Sequence, residues 1–407
     1  MNRNIYYYFL LFFLFSSSIY ATKYNGFASL QRIKKVGGNI YITSKIDYKN
    51  DIYFWFKKCM YNDLFTFYRV GVSHGKSHLI SQHPDNIPEK ILNIASSDNI
   101  GPFEIENGGW CGGNHSFSMK NRTIKTASTV AYKIIADGKE LSKDTTMLVH
   151  SIRISVVNHI QNPRLPQNQD LALTLPNLFC IEYVDYDIYQ NSIQVSVRHQ
   201  YKNQIPITIN KYYGMQSMFN NEKEILTVDG KYFNWTPISK ITRFNKKDYP
   251  HFRWFLEQND IAFQSTFLFK YGLGTHKELE DSDVIFIGNS YGKSYHKLIS
   301  NKKKKNGDSD GWKGVYTWNI INKKEARDLF IYCGKISDKP VLYIIIKNKI
   351  NKKVVFPIRN NHTKLNIIYR SPGIKIKKCC NKKYQILSNK PGGIIISLSK
   401  NNNSLRN

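Results

Sequence analysis

The residues best suited to chemistry gather between Ser97 and Ser116. Ser97-Asp98-Asn99-Ile100-Gly101-Pro102-Phe103 is followed closely by Asn107-Gly108-Gly109-Trp110-Cys111-Gly112-Gly113-Asn114-His115-Ser116. Four glycines within six residues open the backbone to unusual dihedrals and to close ligand approach. Trp110, Asn114 and His115 add a flat ring and hydrogen-bonding groups. That combination suits a sugar, because a pyranose offers its C–H face to an aromatic ring and its hydroxyls to side-chain donors and acceptors. The same residues also suit a tight turn in which His115 only caps a strand. No phosphate-loop or dinucleotide fingerprint is present.

A second group is Arg198-His199 with Pro206-Ile207-Thr208-Ile209-Asn210-Lys211-Tyr212-Tyr213-Gly214-Met215-Gln216. Consecutive tyrosines on a strand face opposite sides, so one of Tyr212 and Tyr213 belongs to the core and the other to a cleft. His199 continues the apolar alternation of Ile193, Val195 and Val197, which fits a core position as well as a substrate contact. Asp248–Glu257 packs His, Arg, aromatic and carboxylate groups into ten residues and suits either a site rim or an aromatic plug. His74 and His78 would align only on a helix, in surroundings that read as strand. The acidic run Glu278–Asp283 lacks EF-hand spacing. No GxSxG elbow occurs, and no CxxC or Cys/His spacing supports a zinc site, so neither a metal nor a cofactor is expected.

The elements that must position these residues are strands. Ile40–Ile46, Ile52–Phe56, Leu64–Val72, Ala127–Ala136, Met147–Val157, Phe179–Ile188, Ile193–Tyr201 and Ile205–Tyr213 are rich in β-branched and aromatic residues. Asp137-Gly138 is the strongest hairpin signal, and Gln190-Asn191 is a second short turn. Short turns between successive strands demand antiparallel pairing. Pro88–Ile94, Pro250–Leu256 and Lys323–Phe330 predict a helical turn or two each, and Lys302–Asp310 predicts an exposed loop. The fold expected is all-β: a large antiparallel β-sandwich with few short helices.

In 407 residues, 41% hydrophobic and 22% charged, there is ample material for a core. The net charge is +29, and it is unevenly spread. Residues 301–407 hold 25 Lys/Arg against 5 Asp/Glu, and Lys339–Asn407 contains no carboxylate. An AT-rich genome would favour Lys, Asn and Ile regardless of function, yet such a segment attracts polyanions whatever its origin.

Arg3, the apolar run Ile5–Phe15 and the small residues of Ser16–Ala21 predict a signal peptide over 1–21 and a secreted or periplasmic mature chain. The mature chain 22–407, strongly basic over 301–407, is expected to form a single large β-sandwich domain, and no later run is long enough to span a bilayer. Six cysteines permit disulfides without choosing a pairing.

The order of these features resembles the galactose mutarotase-like supersandwich. In that family an Asn-x-Leu-His-Gly-Gly loop and a later Pro-…-Asn-His-x-Tyr-Phe strand carry two histidines, and a Glu near the C-terminus completes the site. Gly112-Gly113-Asn114-His115 approximates the first, with the glycines before the histidine. Pro206–Tyr213 approximates the second, with Tyr212 where the family has histidine, and the Glu has no counterpart. The resemblance implies a supersandwich with a sugar-facing cleft, a scaffold shared by epimerases and by domains of polysaccharide lyases and glycosidases.

These features together predict an exported carbohydrate-handling protein, with no specific nucleic-acid partner. Lyase- or epimerase-like action on an anionic polysaccharide would use His115, Tyr213 and Arg198 as acid, base and neutralising cation, with Trp110, Asn114, Tyr212 and His199 contacting substrate. A hydrolase would need two carboxylates at a defined separation, and no such pair is recognisable. The rival is a non-catalytic glycan-binding or adhesion protein.

Overall fold

Period-two alternation accounts for the inner and outer faces of the strands. In Ser192–Tyr201, Ile193, Val195, Val197, His199 and Tyr201 are buried while Arg198 between them is exposed. The computed structural model describes residues 30–47, 49–75, 79–94, 100–106, 109–119, 122–163 and 178–219, the strands Glu224–Leu226, Tyr232–Asn234, Ile241–Asn245 and Asp283–Gly288, the later strands given below and the turns 272–275, 305–308, 371–373 and 389–390. The predicted signal peptide and most of Asp248–Glu257 lie outside these residues.

Two large sheets form the body. The twelve-stranded sheet includes Gln31–Val36, Asn39–Lys45, Asn50–Cys59, Leu64–His74, Lys90–Ile94, Ile207–Phe219 and Gly292–Lys304, with Pro102–Ile105 and Gly109–Gly112 joined on beside Ile207–Phe219. The ten-stranded sheet runs through Ala127–Ala136, Ile152–Gln161, Leu178–Tyr189, Ser192–Tyr201, Ser309–Ile320 and Ile261–Phe267. Every described pairing is antiparallel, as short turns require. One apolar core draws on both sheets, including Phe54, Phe67, Tyr186, Tyr212, Trp312 and Trp318. Fully burying each such side chain contributes roughly 1.5–3 kcal/mol. Hydrogen bonds cross the core between the sheets, among them Tyr186 OH to Thr66 Oγ1 at 3.0 Å, Trp312 Nε1 to Tyr212 OH at 2.7 Å and Tyr316 OH to the Gln216 carbonyl at 3.0 Å.

Towards the C-terminus, Leu329–Ile336, Lys339–Ile346, Thr363–Arg370 and Gly392–Lys400 form a four-stranded sheet. Ile350–Val355, Ile374–Lys378 and Lys383–Ser388 form a three-stranded one. Ile344, Ile346, Ile374, Ile386, Ile394 and Ile396 make a second, smaller apolar cluster there.

The all-β expectation holds, and the turns at Asp137-Gly138 and Gln190-Asn191 join strands as predicted. The short helix expected at Pro88–Ile94 does not hold: Lys90–Ile94 is a strand because it pairs with Leu64–His74. Most of Pro250–Leu256 and of Lys323–Phe330 lies outside the described residues, and the ends that are described belong to the strands Phe255–Gln258 and Leu329–Ile336. Among the described residues the one helical element is the 3-10 turn Gly272–Thr275, and no helix is long and apolar enough to cross a membrane. Lys302–Asp310 is not a loop throughout: Lys304 ends one strand and Asp310 lies in the next, both side chains buried. Cys59, Cys111 and Cys180 are buried.

Candidate functional site

The Gly-rich segment folds into a turn fixed from outside. Gly112 and Gly113 take φ of +72° and +51°, a left-handed pair that L side chains resist, and the His115 amide donates to the Gly112 carbonyl at 3.0 Å to close it. Asn62, fully buried in the turn between Asn50–Cys59 and Leu64–His74, donates to the carbonyls of Gly113 at 2.8 Å and His115 at 2.9 Å. Its own Oδ1 accepts from the Thr126 amide at 3.0 Å. Thr126 Oγ1 donates to the His115 carbonyl and accepts from the Gly112 amide. Asn114 Oδ1 accepts from the Tyr61 amide at 2.9 Å. Asn62 and Thr126 were not evident in the sequence as holders of this turn, because nothing local marks contacts across 51 to 64 positions.

The turn sets Trp110 against two rings. His115 stacks on it at 5.1 Å and 24°, and Tyr213 at 5.7 Å and 15°. Register places Lys211, Glu104 and Trp110 side by side on three strands. Lys211 Nζ pairs with Glu104 at 2.5 Å and lies 5.9 Å from the Trp110 ring. Trp110, Asn114 and His115 are half-buried, and Tyr213 is buried. Lys211 was legible: it sits two residues before Tyr213 on one strand, and so on the same side.

Tyr212 and His199 are elsewhere, in the core. They meet edge-on at 4.9 Å, and Phe103 packs against both. Tyr212 OH donates to the Ile100 carbonyl at 2.6 Å and accepts from Trp312 Nε1. His199 lies in a polar row that crosses five strands in register, Thr129, Asn158, Glu182, His199 and Asp310. Thr129 Oγ1 donates to Asn158 Oδ1 at 2.6 Å, and Asn158 Nδ2 donates to Glu182 Oε1 at 3.0 Å. Glu182 Oε2 lies 3.3 Å from His199 Nε2, and Asp310 Oδ1 lies 2.7 Å from His199 Nδ1. Asp310 Oδ2 takes Lys304 Nζ at 2.7 Å and the Tyr201 hydroxyl at 3.0 Å. Lys304 comes from the other sheet, through the hairpin that links Gly292–Lys304 to Ser309–Ile320. Burial opposes a charge on His199, yet the hydrogen bonds and charges of Asp310 and Glu182 outweigh it and lift its pKa to about 9. Burial likewise opposes the Asp310 carboxylate, but His199 and Lys304 hold its pKa down at about 2. With two cations against two carboxylates and no solvent access, this row is an internally balanced part of the core.

Arg198 is on the outer side of the ten-stranded sheet. It is exposed, with its guanidinium 3.9 Å over the Tyr183 ring. Of the residues proposed from sequence, the structure thus unites Trp110, His115, Tyr213 and Asn114, unites Tyr212 with His199 in the core, and keeps Arg198 on a different face.

No protein-family model and no curated protein sequence matches the chain. Among solved structures it is similar to the alpha-galactosidase from Lactobacillus brevis at 9% identity and TM-score 0.43, over 71% of this chain and 40% of that one. A protein from Klebsiella pneumoniae described as an aldose 1-epimerase matches at 10% identity and TM-score 0.32, over 72% and 84%. The heparan sulfate lyase HepC from Pedobacter heparinus matches at 10% identity and TM-score 0.30, over 77% and 41%. The chain spans about two fifths of the length of the alpha-galactosidases it matches. The resemblance is to β-sandwich folds of carbohydrate-active proteins.

Proposed function

We propose that this protein binds carbohydrate outside the cytoplasm, at the Trp110–His115–Tyr213 cluster, without turning it over. The observation that carries this is the ring stack itself. A half-buried indole stacked with His115 and Tyr213, with the Lys211–Glu104 pair beside it, offers a sugar an apolar surface with polar groups at its margin. Binding is preferred to lyase- or epimerase-like catalysis because the described acid–base groups are divided. The balanced row around His199 is sealed in the core, and Arg198 stands on another face from His115 and Tyr213. The basic C-terminal segment supports an anionic ligand, since Lys375, Lys377 and Lys378 are exposed on one strand of a region without carboxylates.

The test is a thermal-shift and calorimetric screen of neutral and acidic oligosaccharides, with product assays on each hit. Binding that is lost in Trp110→Ala, with no product formed, is the expected result. Turnover by the wild type would overturn the non-catalytic part, and full binding by Trp110→Ala would move the site. Export is checked by N-terminal sequencing of native protein, which should begin near residue 22.

A further inference from the structure

The outer side of the strands Asn39–Lys45, Asn50–Cys59 and Leu64–His74 carries a different set of rings. Register pairs Tyr41 with Trp55 and Trp55 with Arg69, and a bulge after Trp55 brings Tyr68 alongside. Tyr41 stacks on Trp55 at 5.4 Å and 27°, while Tyr68 meets Trp55 edge-on at 4.8 Å and 83°. Trp55 Nε1 is fixed by Asn39 Oδ1 at 3.1 Å. All three rings are half-buried.

Two cations lodge against them. Lys57 Nζ is 4.6 Å from the Trp55 ring and 3.9 Å from Tyr68, and the Arg69 guanidinium is 5.7 Å from Trp55 and 4.9 Å from Tyr68. Among the described residues neither has a carboxylate partner, whereas Lys34 on the next strand but one is neutralised by Asp85 at 2.7 Å. Cations held between ring faces are already ordered, so an anion that reaches them gains their charge at a reduced entropic cost.

We infer that this hairpin face is a second binding site, one that takes the sulfate or carboxylate groups of an anionic glycan while Tyr41 and Trp55 contact its sugar rings. It draws the ligand class from the proposed function but places it on other residues. Single-stranded nucleic acid shares the charge, but it stacks successive bases on aromatic side chains. The perpendicular Trp55–Tyr68 pair interrupts such a platform.

The experiment titrates the full chain with heparin-derived and uronate oligosaccharides, following tryptophan fluorescence and heat. It compares wild type with Lys57→Gln/Arg69→Gln, with Trp110→Ala and with Lys375→Gln/Lys377→Gln. The hairpin double variant should melt like wild type, lose at least tenfold in affinity for the acidic oligosaccharides and show a shallower salt dependence. Wild-type affinity in that variant overturns the inference, and loss confined to Trp110→Ala does so while leaving the Gly-rich turn as the carbohydrate site. The reverse pattern removes the turn and keeps the hairpin. Tighter binding of an oligonucleotide than of any acidic glycan also overturns the inference.

Discussion

Two regions of this molecule hold a histidine against aromatic rings. In the core, His199 meets Tyr212 at 4.9 Å and Phe103 at 5.1 Å, and each ring nitrogen faces a carboxylate. At the Gly-rich turn, His115 lies over Trp110 at 5.1 Å, and what is fixed is its backbone carbonyl, by Asn62 and Thr126. The same side chain thus serves architecture where it is sealed between carboxylates, and on the proposed reading recognition where it reaches the surface. A buried imidazole with charged neighbours has the chemical appearance of a catalyst, but without a path for substrate that chemistry goes only into holding five strands in register.

The comparison breaks most readily by truncation. His199→Ala leaves Glu182 and Asp310 buried without their shared partner, a loss of about 3–5 kcal/mol, while His115→Ala should stay within about 1 kcal/mol. Urea unfolding of the two variants measures both. Equal costs would make the turn as architectural as the core.

A pH titration of stability sharpens it next. His199 is lifted from 6.5 to about 9 by its carboxylates, so its contribution is complete below pH 6.5 and disappears as pH rises through 9. Asp310 is lowered from 3.8 to about 2, so its contribution is complete above pH 3.8 and disappears as pH falls through 2. Unfolding free energy should therefore plateau between these limits and fall on both sides, by on the order of 2–3 kcal/mol per group. In Glu182→Gln the alkaline fall should be smaller and end at lower pH, because His199 loses one of the two acids that raise its pKa.

Asn62→Ala comes after these in size. It strips the buried Gly113 carbonyl and Thr126 amide of their partner and leaves the His115 carbonyl only Thr126 Oγ1, at about 1–3 kcal/mol. Because the ring stack rests on that turn, ligand affinity should fall together with stability. His115→Ala should lower affinity alone.

Much of this arrangement was legible in the sequence, and the remainder depended on pairing. The alternation through Ile193, Val195, Val197 and His199 shows which way His199 faces, and Gln190-Asn191 marks its hairpin. Glu182, Asp310 and Lys304 could not be seen as its neighbours, because cross-strand register is a tertiary fact and Lys302–Asp310 has the composition of a loop. Pro88–Ile94 was misread for the same reason: a proline near a helical first turn is a local signal, and pairing with Leu64–His74 overrides it. Trp110, Asn114 and His115 were visible because they fall within six residues of one another. Tyr41, Trp55 and Tyr68 were not, since each lies on its own strand and only the register gathers them.

The smallest effect separates Arg198 from the turn. The sequence places Arg198 with His115 and Tyr213 as a possible acid–base set, whereas its guanidinium lies over Tyr183 on the outer side of the ten-stranded sheet. An exposed cation on a ring contributes about 0.5–1 kcal/mol, so Arg198→Ala should barely shift the melting temperature. The decisive measurement is a double-mutant cycle on oligosaccharide affinity with Trp110→Ala. Residues that share no ligand group act independently, and the two losses should add within about 0.3–0.5 kcal/mol. Coupling of 1 kcal/mol or more, outside that range, would mean that one ligand spans both residues. In that event the division of labour drawn between surface clusters would give way to a single extended site, and catalysis by His115, Tyr213 and Arg198 would return as the better account.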